Sequence, residues 1–354
     1  MEETKRKRKS PLFVISIVIA ALVLTYFGSG VIAANIVSSV LYGHRLTTPK
    51  NLQSKWYALF NTREDYEVLS NREVLTFPSN NNETLSSYFY SSSSPKGTVI
   101  SLHGMGSLAD GDNSEYQQWF VEKGYNLLAL DLTASGNSEG NEMRGLHQSA
   151  YDAYSAYSYL IKEKRIVEPL IMAGHSWGAY GAAASLSLGV KANYVISFSG
   201  YDVPIKEMYA QAESKVGILA PLTYPAFLLG MELRFGGNGT LSAKEAIANS
   251  SAKALLIHGD ADNTVSYDIS LLDAAKDLSN VTTLTIPGCG HDRPWLEMEA
   301  KEYANGFIAK LGKDFDSLDK ERATEELTKL GYEKEKANIL NKEVFSAIEK
   351  LLAK

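Results

Sequence analysis

Cysteine is nearly missing from this chain: one residue, Cys289, stands among 354. A lone thiol excludes an intrachain disulfide and any CxxC metal or redox motif. A basic surplus is missing too. Lys and Arg number 35 against 41 Asp and Glu, a net charge of −6. Nucleic-acid binding needs the opposite sign of surface. Hydrophobic residues make up 45% and charged residues 21%. These are proportions of a folded globular protein, so disordered and collagen-like chains are excluded. No internal repeat occurs, and low complexity is confined to the serines at 91–94.

Charge is absent altogether from Ser10 to Gly43, a run of 34 residues, and five consecutive bases, Lys5 to Lys9, precede it. A helix crossing the hydrocarbon core needs about 20 apolar residues. Residues 11–34 supply that length, more than the roughly 7–15 residues of a signal-peptide core. Residues 1–10 therefore read as a cytoplasmic basic segment and 11–42 as a transmembrane anchor. Residues 43–65 read as a polar stalk carrying an extracytoplasmic domain. The small residues around Val31-Ile32-Ala33 keep secretion after signal cleavage as the alternative.

From residue 66 onward short apolar runs alternate with longer helical stretches. The runs lie at 97–102, 126–132, 169–173, 194–198, 254–257 and 281–286. Between or after them come helical segments at 115–123, 148–164, 177–188, 267–278 and 294–310. Such alternation predicts an α/β fold with a mostly parallel, doubly wound sheet. Three shorter runs, 66–69, 73–77 and 85–90, predict antiparallel strands before it, with a turn at 79–82. About fifty residues, 200–250, interrupt the rhythm and predict a cap over the carboxyl ends of the strands. Residues 313–354 hold nine Lys or Arg and ten Asp or Glu, with Leu340, Val344, Ile348 and Leu351 at helical spacing. They predict an amphipathic helical tail beyond a catalytic domain at 66–312, docked as a solvated helix on its own domain, with a partner or a membrane surface as the alternatives.

The chemistry centres on Gly174-His175-Ser176-Trp177-Gly178. An apolar strand precedes it and an Ala-rich helix follows, so Ser176 sits on a tight strand-to-helix turn. Gly174 and Gly178 leave room for that turn, and the hydroxyl points outward beside a helix N-terminus. A serine hydroxyl needs a base. Of six histidines, His291 stands in the flexible loop Gly288-Cys289-Gly290-His291-Asp292 after the last apolar strand. The base acts as neutral imidazole, so activity is expected to fall in acid. Asp260 and Asp262 follow the strand at 254–257, and either can orient the base. Asp262, one change of direction further along, is the better placed to reach it. The order Ser176, Asp262, His291 is that of an elbow-type hydrolase. Gly104 in His103-Gly104-Met105-Gly106 ends another strand, and its turn predicts Met105 and Trp177 N–H groups as an oxyanion hole.

Together the motifs HGMG, GHSWG, HGDAD and GCGH resemble those of the α/β-hydrolase superfamily over roughly residues 66–312. The stretch Asp131-Leu132-Thr133-Ala134-Ser135-Gly136 resembles the family's structural loop after the fourth strand, with Thr133-Ala134 replacing the usual Arg-Gly. Small bacterial esterases, lysophospholipases and dipeptidyl-peptidase-like members are the nearest in character. In them the acid stands three residues past the glycine, as Asp262 stands past Gly259. The resemblance implies a serine hydrolase without metal or cofactor, acting on a carboxylic ester, with lipid-like acyl compounds suggested by the anchor. A serine peptidase of the same fold and a catalytically silent binding protein are the alternatives.

Overall fold

The computed structural model describes residues 11–216 and 220–353. The basic segment Lys5 to Lys9, read above as cytoplasmic, lies outside the described residues. The first element is one apolar helix, α1 (Pro11–Tyr42), long and apolar enough to cross a membrane. A one-turn helix, α2 (Trp56–Leu59), follows.

Among the described residues eight strands form one sheet: β1 (Glu73–Pro78), β2 (Thr84–Tyr90), β3 (Thr98–Leu102), β4 (Asn126–Asp131), β5 (Leu170–His175), β6 (Tyr194–Phe198), β7 (Lys253–Gly259) and β8 (Val281–Ile286). Their order is β1-β2-β4-β3-β5-β6-β7-β8. β2 runs antiparallel to β1 and β4, and every later pairing is parallel. The expected run at 66–69 is not a strand. It forms a 3-10 turn, Glu67–Leu69. Just before it the Thr62 N–H donates to Asp65 Oδ2 at 2.8 Å, which curls the chain, and only Leu69 of that turn is buried.

Side chains alternate across each strand, so the sheet has two apolar faces. Ile100, Leu102, Leu128, Leu130 and Met172 belong to one core. It is covered by α4 (Gln148–Lys162), α5 (Trp177–Ala184), α8 (Ala243–Ala248) and α9 (Leu271–Ala275). Val99, Leu127, Ala129, Ile171 and Ala173 belong to the other. It is covered by α3 (Ser114–Glu122), α10 (Met298–Leu311), α11 (Lys320–Lys329) and α12 (Lys342–Leu352). The mostly parallel, doubly wound sheet is the fold the alternation predicts. Over it lie α6 (Pro204–Val216) and α7 (Ala220–Phe235), within the stretch read as a cap.

One expected boundary dissolves. Residues 43–65 are no free stalk: the Arg45 guanidinium donates to the Gly136 and Gly140 carbonyls, and Thr47 Oγ1 donates to the Ser107 carbonyl at 3.0 Å. Tyr57, Ala58, Leu59 and Phe60 are buried. Residues 313–354 dock on the domain. Leu327, Val344, Phe345, Ile348 and Leu351 enter the same core as β3 and β5. Their apolar stripe is the docking face.

Candidate active site

Order along the sheet reverses at β3, whose neighbours β4 and β5 leave on opposite sides. Crevices in such sheets open at the carboxyl ends beside that point. Ser176 follows β5 there. Its φ of 53° and ψ of −116° are a strained combination for a residue with a side chain. Gly174 and Gly178, two residues to either side, give the turn the room it needs. A Cβ at Gly174 would come within 2.5 Å of the Gly178 backbone, and one at Gly178 would strike the Leu102 carbonyl. The Ser176 N–H donates to the Phe198 carbonyl at 2.8 Å, tying the turn to β6.

His291 lies with Nε2 2.8 Å from Ser176 Oγ and Nδ1 2.8 Å from Asp262 Oδ2. The carboxylate accepts the Nδ1 proton, so Nε2 is free to accept from the serine hydroxyl. Asp262 Oδ1 accepts the N–H groups of Thr264 and Val265 at 2.8 and 2.9 Å. Burial alone would push this carboxyl up. The hydrogen bond and charge of His291, with those two N–H donors, outweigh it and hold the group below the ordinary carboxylate range. Asp260 sits elsewhere: its Oδ1 accepts from the Gly288 N–H at 2.6 Å.

Other residues, which sequence reasoning treated as structural or passed over, hold this arrangement. The His291 carbonyl accepts from His175 Nε2 at 3.0 Å and from Ser199 Oγ at 3.1 Å. Burial holds His175 neutral, down to about 4. His258 Nε2 donates to the Val265 carbonyl at 2.9 Å and lies 3.3 Å from Asp262 Oδ2. Burial lowers that imidazole as well. Position at a strand end was the available signal for both histidines, but it does not reveal a partner. Ser199, with a φ of 53°, carries no motif.

The expected oxyanion turn stands beside the serine. A Cβ at Gly104 would lie 3.5 Å from Ser176 Cβ. His103 fixes this turn: its Nε2 accepts the Leu132 N–H at 3.1 Å, so Nδ1 carries the proton and donates to the Gly104 carbonyl at 2.7 Å. The Trp177 N–H heads α5, where backbone donors have no intrahelical acceptor. Its indole Nε1 donates to the Leu146 carbonyl at 2.8 Å, which anchors the elbow to the segment before α4. Asp131 accepts the N–H groups of Ala109 and Asn137, each at 2.9 Å, so its loop braces the site from outside.

A cleft of about 510 Å³ flanks the His291 loop, bordered by Trp56, Tyr57, Gly106, His291 and Arg293. Arg293 is committed to Asp112 at 2.6 Å and Glu115 at 3.3 Å. Among the described residues no cluster of three or more His, Cys, Asp or Glu side chains is disposed to hold a metal ion.

Comparison with known proteins agrees with this geometry at the level of fold. Residues 93–201 match the family described as serine aminopeptidase, S33. Over 120 residues the chain is 32% identical to a multifunctional-autoprocessing repeats-in-toxin of Vibrio cholerae serotype O1, a match covering 33% of this chain and 2% of the toxin. The corresponding toxin of Vibrio vulnificus is 31% identical over 113 residues, 31% of this chain and again 2% of the toxin. Among solved structures, an esterase of Pyrococcus furiosus superposes with a TM-score of 0.52 at 21% identity, over 68% of this chain and 90% of the esterase. Sheet order, elbow and these matches converge on one architecture: the chain has the α/β-hydrolase fold, and its residues 93–201 are similar to the serine aminopeptidase, S33, family.

Proposed function

We propose that this chain is a membrane-anchored serine hydrolase that cleaves carboxylic esters through an acyl-enzyme. The carrying observation is the continuous relay Asp262, His291, Ser176, both links at 2.8 Å. Ser176 Oγ attacks the acyl carbonyl and passes its proton to His291 Nε2. Asp262 stabilises the imidazolium, and the Met105 and Trp177 N–H groups receive the developing oxyanion. Collapse expels the alcohol, which takes the proton from His291. Water, activated by the same imidazole, then releases the acid. The anchor α1 keeps the domain at a bilayer, which favours lipid-like acyl esters as substrates.

A serine peptidase is the second reading, favoured by the S33 aminopeptidase match over residues 93–201. The chemistry of the triad is common to both. An ester series graded by acyl length, run beside peptide p-nitroanilides, separates them. Turnover of esters supports the esterase. Turnover of anilides alone supports the peptidase.

A further inference from the structure

From the pairing of α1 with α7 we infer that the cap contacts the bilayer: the N-terminal turns of α7 lie among the outer-leaflet acyl chains beside the anchor. This rests on reading α1 as a membrane span.

The two helices run in the same direction and in step. Tyr26 Oη donates to the Leu222 carbonyl, Gly30 faces Ala226, Ala34 faces Gly230, and Arg234 donates to Asn35 Oδ1 at 2.9 Å. The seam is built from small residues four apart on each helix, Gly30 with Ala34 and Ala226 with Gly230. That is the pattern by which helix backbones approach closely inside membranes. A Cβ on Gly230 would lie 2.5 Å from the Ala34 Cβ, and one on Gly30 would collide with Ala226. α1 cannot tilt away from the cap without opening this contact. At the far end of α1, Tyr42 Oη donates to Gln211 Oε1 of α6 at 3.3 Å, and Arg45 and Thr47 pin the chain that follows. The domain thus has no slack above the membrane.

Depth follows from length. A hydrocarbon core beginning at Pro11, just past Lys9, is crossed by about 20 residues and ends near Gly30. Leu222 is level with Tyr26, four residues or about 6 Å inside that boundary at helical rise. Composition agrees with that depth. From Val216 to Met231 no Asp, Glu, Lys or Arg occurs, while Glu213 and Lys215 precede the stretch and Glu232 and Arg234 follow it. Leu222 is 69% exposed, and on α1, against which α7 packs, Ile19, Leu22 and Leu24 are exposed as well. An apolar face of this extent, bracketed by charge and packed against a spanning helix, fits acyl chains.

Fluorescence quenching in proteoliposomes tests this without using hydrolysis as a readout. The full chain carries Leu222→Cys, Leu233→Cys or Ile19→Cys, labelled with an environment-sensitive dye, in phosphatidylcholine and phosphatidylglycerol vesicles. The unsubstituted chain, whose Cys289 is fully buried, is the labelling blank. The label at Leu222 should lose fluorescence to a lipid bearing a shallow doxyl group and resist aqueous iodide. The label at Ile19 should respond to a deep doxyl group, and that at Leu233 to iodide. Iodide quenching at Leu222 equal to that at Leu233 overturns the proposal while leaving the anchor in place. Iodide quenching at Ile19 as well overturns the anchor reading and the proposal with it. Inactivity of the protein toward esters would alter none of these signals.

Discussion

Asp262 and Asp260 stand two residues apart on one loop and face different partners. Asp262 Oδ2 meets His291 Nδ1 at 2.8 Å, whereas Asp260 Oδ1 accepts the Gly288 N–H at 2.6 Å. Both carboxylates thus hold the same histidine loop, one through the imidazole and one through the backbone.

A ranking of two substitutions follows. Asp262→Asn should lower kcat about 10⁴-fold, the typical loss when a triad loses its orienting acid. Asp260→Asn keeps an oxygen for Gly288 and should cost far less. Steady-state kinetics on purified, folded variants checks the order. Equal losses would contradict it.

Within the cap, Glu207 accepts from Gln211 Nε2 at 2.8 Å through one oxygen, while its Oε2 finds no partner among the described residues. Burial raises this carboxyl to about 7, and the Gln211 hydrogen bond only partly opposes that. The folded protein then keeps a proton that the unfolded chain releases above its ordinary value of 4.5. Stability from this group is full below that value and is lost as pH rises toward 7. Glu207→Gln removes the effect. Denaturation across pH should show variant and wild type diverging over this window, the variant gaining up to about 3 kcal/mol at the alkaline end. Parallel curves would contradict the assignment.

Ile348 is fully buried on α12. Ile348→Ala should cost about 2–5 kcal/mol, the range for core truncations. A free helical tail would lose almost nothing, within about 0.5 kcal/mol. Chemical denaturation in detergent distinguishes the two.

Much of this molecule was legible from residue order. The bounds of β6 and β8, 194–198 and 281–286, are those the apolar runs predict, because Asn193 and Ser199 bracket the first and Asn280 and Pro287 the second. The elbow at Ser176 was legible because strand, glycine pair and helix are all local. What escaped depends on distant surfaces. The stripe Val344, Ile348 and Leu351 declares an amphipathic helix but not the sheet face beneath it. Likewise Arg45 and Thr47 read as stalk residues, since their partners, the Gly136 and Ser107 carbonyls, lie in other loops. The support given to the His291 carbonyl by Ser199 and His175 joins three strand ends. No spacing rule within one segment shows such a contact.

The central claim is that Ser176 is an activated nucleophile. The direct measurement is intact-protein mass after treatment with a fluorophosphonate, followed by mapping of the modified peptide. The wild type should gain a single adduct on Ser176, and Ser176→Ala should gain none while unfolding at the wild-type temperature. A wild type that stays unmodified, or a Ser176→Ala variant that still takes the probe, would contradict the account.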